Sequence, residues 1–186
     1  NHMRRAQLCL EQNDLNGALY NIAPAIDVTS KSYSSKKSGN RKKIEKFLEM
    51  SEKELIQFST LGRVSISEFG NLYFGQTPSG SKLTLPTIIY KFLRCGQSHN
   101  SVIDYEKIYL GCEFGISSIF INTPPPDYKP GQHVISRALC FGLMAIVVLD
   151  ESNAHRKFPK CQIQIGGKSF ELNFNNFKDF VNHACA

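Results

Sequence analysis

Residues 135–149, ISRALCFGLMAIVVL, are almost continuously apolar, and Arg137 is their one charge. A helix that crosses a bilayer needs about 20 such residues, and this run is shorter. It is expected instead as a helix buried in the centre of the domain or in a subunit contact. No other stretch is as apolar, and no charged n-region with an apolar h-region opens the chain. The expectation is a cytoplasmic chain with no membrane contact. Its 186 residues fit one domain with a substantial core. Asn1-His2-Met3 resembles a cloning remnant, which leaves residues 4–186 as the domain.

The other elements read mostly as helices. RRAQLCLEQN, 4–13, is a short helix, after which Asp14 can cap the next one. Leu15, Ala18, Leu19, Ile22, Ile26 and Tyr33 then trace an apolar stripe along a long helix with a kink expected at Pro24. SSKKSGN, 34–40, is a loop by composition. RKKIEKFLEMSEKELIQFS, 41–59, reads as one amphipathic helix, and Leu85, Ile88, Ile89 and Phe92 mark another. Between Val102 and Ile121 the chain is rich in β-branched and aromatic residues, a pattern for extended structure, and TPPPDYKPGQH, 123–133, is a proline-rich loop. CQIQI and SFELNF alternate on either side of Gly166-Gly167, which predicts a hairpin, and NFKDFVNHA reads as a last helix capped by Asn175 or Asn176. The fold class expected is mainly α (α+β).

Charge adds a partner class. The net charge is +6, and Lys31, Lys36, Lys37, Arg41, Lys42, Lys43 and Lys46 cluster with Glu45 as the one acid among them. Such a run can follow a nucleic-acid backbone, and it can equally be a solvated loop and helix start. The six cysteines form no CxxC pair, and Cys95 with His99 supplies only two potential ligands, so reduced thiols and no metal are expected.

The chemistry-bearing stretch is IIYKFLRCGQSHN, 88–100, where an apolar helix ends in Arg94, Gln97, Ser98, His99 and Asn100. An unbroken helix would set Arg94 and His99 about 140° apart. Gly96 favours a break there, which would bring both to one surface. Guanidinium forks match phosphate oxygens, and imidazole exchanges protons near neutrality. The pair suits phosphodiester cleavage without a metal. The other reading is a helix C-terminus at which cations meet the dipole. Asp27, beside the apolar stripe, would need a cationic partner if buried, and Arg94 is one candidate.

Three pieces together resemble prokaryotic HEPN proteins: LYNIAPAIDVTSKSY, 19–33, with SGNRKKIEKFLE, 38–49; an Arg-x4-His motif at Arg94 and His99; and the GLMAIVVL helix with its trailing hairpin. The resemblance implies a HEPN-like helical bundle with a small C-terminal β-hairpin and terminal helix. It also implies a homodimer with a composite site, and a metal-independent endoribonuclease of toxin or phage-defence type that uses no cofactor. Arg94 and His99 would be catalytic, with Asn100 beside them and Asp27 and Cys95 in support. Lys36, Lys37, Arg41 and Lys42 would contact RNA, and an antitoxin partner would be expected. Cys95 stands where active members carry a polar residue, and Asn100 where relatives often have an acid. A non-catalytic RNA- or nucleotide-binding or dimerisation module is the alternative.

Overall fold

The computed structural model describes residues 2–33, 38–60, 86–87, 89–90, 108–111, 133–156, 161–165 and 168–172. This part is mainly helical: α1 (His2–Glu11), α2 (Leu15–Ser30), α3 (Asn40–Met50), α4 (Glu52–Thr60) and α5 (Arg137–Leu149), with 3₁₀ turns at Lys31–Tyr33 and Glu151–Asn153. Residues 86–87 and 89–90 are also helical. Two short strand pairs complete it. β1 (Ile108–Gly111) runs parallel to β2 (His133–Ser136), and β3 (Cys161–Ile165) pairs antiparallel with β4 (Lys168–Leu172).

α5 is buried on nearly all sides, with Leu139, Cys140, Phe141, Leu143, Ala145, Ile146 and Val147 in the core. A helix apolar all round has to be enclosed, and α4 and α2 do most of the enclosing. α2 contributes Leu15, Ala18, Leu19, Ile22 and Ile26, spaced three and four apart, and α3 contributes Ile44, Phe47 and Leu48. Emptying the Phe47 site, which is fully buried, would cost about 3–5 kcal/mol.

The α1–α2 corner is built from local chemistry. Asn13 has φ 58°, the left-handed conformation that ends many helices. The Asp14 N–H bonds the Cys9 carbonyl at 2.8 Å and the Asn13 N–H bonds Leu10 at 3.2 Å, the two closures of a Schellman turn. Asp14 then caps α2, its carboxylate accepting from the Gly17 N–H at 2.8 Å, as its position predicts. Arg137 donates to the Asn13 side chain at 3.1 Å, which ties this corner to the start of α5.

A second junction joins the other ends of α2 and α5. Asn153 is buried and spends both amide protons, one on Thr29 Oγ1 and one on the Val147 carbonyl, each at 2.8 Å. Thr29 in turn donates to Ala25 O at 2.9 Å. Asp150 accepts from the Ser152 N–H at 2.9 Å, from the Ser152 hydroxyl and from the Tyr33 hydroxyl. The Tyr33 ring lies 5.1 Å from that of Phe47, so α3 joins the same junction. Burial first, and then the bond to Asp150, push the Tyr33 phenol well above its usual range. Its contribution to stability is complete below the unfolded value of about 10 and is lost only as pH climbs past it.

Several expectations are corrected. The helix expected over 41–59 is two, because Ser51 (φ −100°, ψ 10°) ends α3 and its carbonyl opens α4 by accepting from the Leu55 N–H at 2.8 Å. Serine competes for backbone hydrogen bonds and so favours helix boundaries. α2 ends at Ser30 with Pro24 inside it, and Tyr33, expected on the stripe of the same helix, lies in the 3₁₀ turn that follows. The helix expected from Ile135 starts at Arg137, because His133–Ser136 pair with β1. His2 and Met3 continue α1 at its start, and Met3 is buried in the core. The Gly166-Gly167 turn, residues 34–37 and 123–132 of the expected loops and the last helix lie outside the described residues.

The α4–α5 contact is close enough to need a glycine. A Cβ on Gly142 would sit 2.1 Å from Ser59 Oγ and 3.0 Å from the Leu55 carbonyl oxygen. Ser59 Oγ is itself buried with no hydrogen-bond partner. Gly142→Ala should therefore lower stability by about 1–3 kcal/mol through overpacking. Ser59→Ala, which removes an unpaired hydroxyl and opens space, should be neutral or stabilising by about 1 kcal/mol and should partly rescue Gly142→Ala. Denaturant melts of the two single variants and the double variant measure this. A Gly142→Ala protein as stable as the parent would contradict the packing described.

Candidate functional site

α3 begins in an unusual way for a helix. Its N-cap is Gly39, which makes no side-chain cap, and its first turn holds no acid. Arg41, Lys42 and Lys43 occupy that turn instead. Unpaired N–H groups and the macrodipole make this end positive, so each cation there is unfavourable by roughly 0.3–1 kcal/mol. Glu45 offsets a part, accepting from Arg41 Nε at 3.0 Å. An Arg-to-Glu pair in this order along a helix is the weaker of the two orders, worth a few tenths of a kcal/mol. Local stability therefore does not account for the cluster. A cluster of this kind attracts anions.

Arg41 also reaches across to another element. Its guanidinium carbon lies 5.5 Å from the centroid of the Tyr90 ring, within cation–π range. Neighbouring Ile89 is in the core at 2 % exposure and Pro86 is fully buried, so the short helical stretch that carries Tyr90 is anchored. Lys42 and Lys46 are exposed, and among the described residues neither is in an ion pair.

Of the residues singled out from the sequence, Arg41, Lys42 and Asp27 have described positions. Asp27 is half-buried on α2 and pairs with Lys31 one turn later at 3.9 Å. An exposed pair of this kind contributes little. Arg94, Cys95, His99, Asn100, Lys36 and Lys37 lie outside the described residues, and with them any pairing of Asp27 with Arg94. Sequence reasoning missed Tyr90, whose signal was an aromatic residue four positions ahead of Arg94 in a helical pattern. It also missed the Asp150–Asn153 junction, although Asp-x-Ser-Asn directly after an apolar helix is a local capping pattern.

Neither described thiol suits nucleophilic work. Burial pushes Cys140 up to about 12, and Cys9 is raised by burial and then by the charge of Asp14. Both stay protonated at neutral pH. No group of three or more His, Cys, Asp or Glu able to hold a metal exists among the described residues. No helix among them is long and apolar enough to cross a membrane. No family model, curated protein or solved structure matches the chain.

If the basic turn of α3 serves an anion rather than the fold, charge reversal should separate the two properties. Lys42→Glu should stabilise the protein by about 0.5–1 kcal/mol through the dipole, a rise of about 1–4 °C in Tm. The same change should weaken binding to single-stranded nucleic acid and flatten its salt dependence. Thermal melts and salt-titrated binding check both, and a lower Tm with unchanged affinity would contradict this reading.

Proposed function

We propose that the chain is a HEPN-like, metal-independent endoribonuclease that works as a homodimer, with a helical bundle, a small C-terminal hairpin and a terminal helix. The observation that carries this reading is the basic first turn of α3 held against Tyr90, four residues ahead of the Arg94-x4-His99 motif. Four residues of chain extend at most about 14 Å. Covalent connectivity alone therefore keeps the backbone of the motif arginine within that distance of Tyr90, which meets Arg41 of the basic turn.

In the proposed reaction a ribose 2′-hydroxyl attacks the adjacent phosphorus while His99 removes its proton. The bond from phosphorus to the 5′-oxygen breaks, and that oxygen takes a proton from the second copy's imidazole. Products are a 2′,3′-cyclic phosphate and a 5′-hydroxyl. Proton transfer of this kind contributes about 10² to 10⁴ in rate. Arg94 stabilises the charge that builds on the phosphorane oxygens, and Asn100 hydrogen-bonds phosphate or ribose. Asp27 serves as the counter-charge of Arg94, with Cys95 in support. Lys36, Lys37, Arg41 and Lys42 hold the RNA backbone. An antitoxin partner and a cytoplasmic setting belong to the same reading.

Cys95 and Asn100 favour a second reading, since cysteine is a weak hydrogen bonder and asparagine cannot act as an acid. On that reading the same residues bind RNA or a nucleotide without cutting it. Purified protein incubated with RNA in EDTA distinguishes them. Cleavage should persist in EDTA and fall at least about 10²-fold in His99→Ala. A divalent-ion requirement, or a His99→Ala protein as active as the parent, would overturn the catalytic reading. Saturable, salt-sensitive binding with intact RNA would leave the binding module.

A further inference from the structure

We infer that Arg41 and Tyr90 form a stacking platform for an unpaired nucleobase of a single strand; this rests on the reading of the chain as one that acts on RNA. The guanidinium carbon of Arg41 lies 5.5 Å from the Tyr90 ring centroid. Glu45 holds Arg41 Nε at 3.0 Å, so the guanidinium is fixed at two points. Its side chain is nonetheless 60 % exposed. Among the described residues no hydrogen bond uses its terminal amino groups.

Two features separate stacking from a plain phosphate contact. Glu45 places a negative charge next to the guanidinium, which weakens its pull on a phosphate but does not block its flat surface. Tyr90 meets it at 5.5 Å from an anchored stretch, while the Arg41 side chain stays 60 % exposed, so a cationic and an aromatic surface lie side by side at the surface. Guanidinium planes and aromatic rings are the surfaces on which single-stranded bases stack, and such stacking tolerates every base because each has a π-face. Bases within a duplex have no free face to offer. Lys42, on the next position of the same turn, is placed to take the phosphate that accompanies the stacked base.

The test uses the full chain and a fluorescently labelled single-stranded DNA oligonucleotide, together with a matched strand in which the bases are replaced by abasic sites. Arg41→Lys keeps the charge and loses the plane. It should weaken binding to the base-containing strand by about 5- to 100-fold and leave binding to the abasic strand nearly unchanged. Tyr90→Leu should shift the same way, whereas Lys42→Ala should weaken both strands alike. An Arg41→Lys protein that binds both strands as the parent does, or that loses both equally, overturns the platform. So does a parent protein that binds neither strand, or binds them equally well. Arg41 is exposed, so its lysine variant should keep the parent's thermal melt.

DNA has no 2′-hydroxyl, so this result is independent of cleavage. A protein that shows the base-dependent loss but leaves RNA intact keeps the platform and drops the catalysis. One that cuts RNA without that loss does the reverse.

Discussion

The amide of Asn153 holds two helices by their ends. Its two protons go to Thr29 on α2 and to the Val147 carbonyl near the end of α5, in a site where water does not compete. A buried polar group of this kind is costly unless every partner is present, and here the partners come from both helices at once. That requirement fixes how far α2 and α5 can slide past each other, which apolar packing alone does not. Asp150 and Tyr33 extend the constraint, and the Tyr33 ring against Phe47 passes it to α3. α3 is thereby tied through Phe47 to the junction between α2 and α5.

Seen from that frame, α3 has two ends with different duties. Its apolar face, Ile44, Phe47 and Leu48, is pinned in the core. Its N-cap, Gly39, supplies no side-chain cap, and its first turn is crowded with positive charge in the orientation that costs stability. Tyr90, which meets Arg41, ties that turn to the short helical stretch four residues before Arg94 in sequence.

What the sequence made legible follows from how local each signal is. The α2 stripe and the Asp14 cap depend on neighbours three and four residues away, and both stand in the structure where the pattern puts them. Ser51 was hidden because Phe47, Leu48 and Leu55 keep a helical period across it, although the serine ends one helix and starts another. Strand His133–Ser136 was hidden because its partner, Ile108–Gly111, is far away in sequence and parallel. Tyr90 and Asn153 were missed for the same reason: a cation–π contact with α3 and a hydrogen bond to α2 are long-range facts. The basic run could be read as a cluster, but its conflict with the helix dipole appears only once α3 is known to begin at Asn40.

In the proposed function this arrangement serves a strand whose own 2′-hydroxyl does the cutting. Chemistry at phosphorus by that route leaves a signature that neither a binding module nor hydrolysis by a metal-activated water produces, since the ribose oxygen stays attached to the phosphate. The most direct measurement is the identity of the RNA ends after incubation, by mass spectrometry. The account predicts 2′,3′-cyclic phosphates paired with 5′-hydroxyls. Ends bearing a 5′-phosphate and a free 3′-hydroxyl would contradict it.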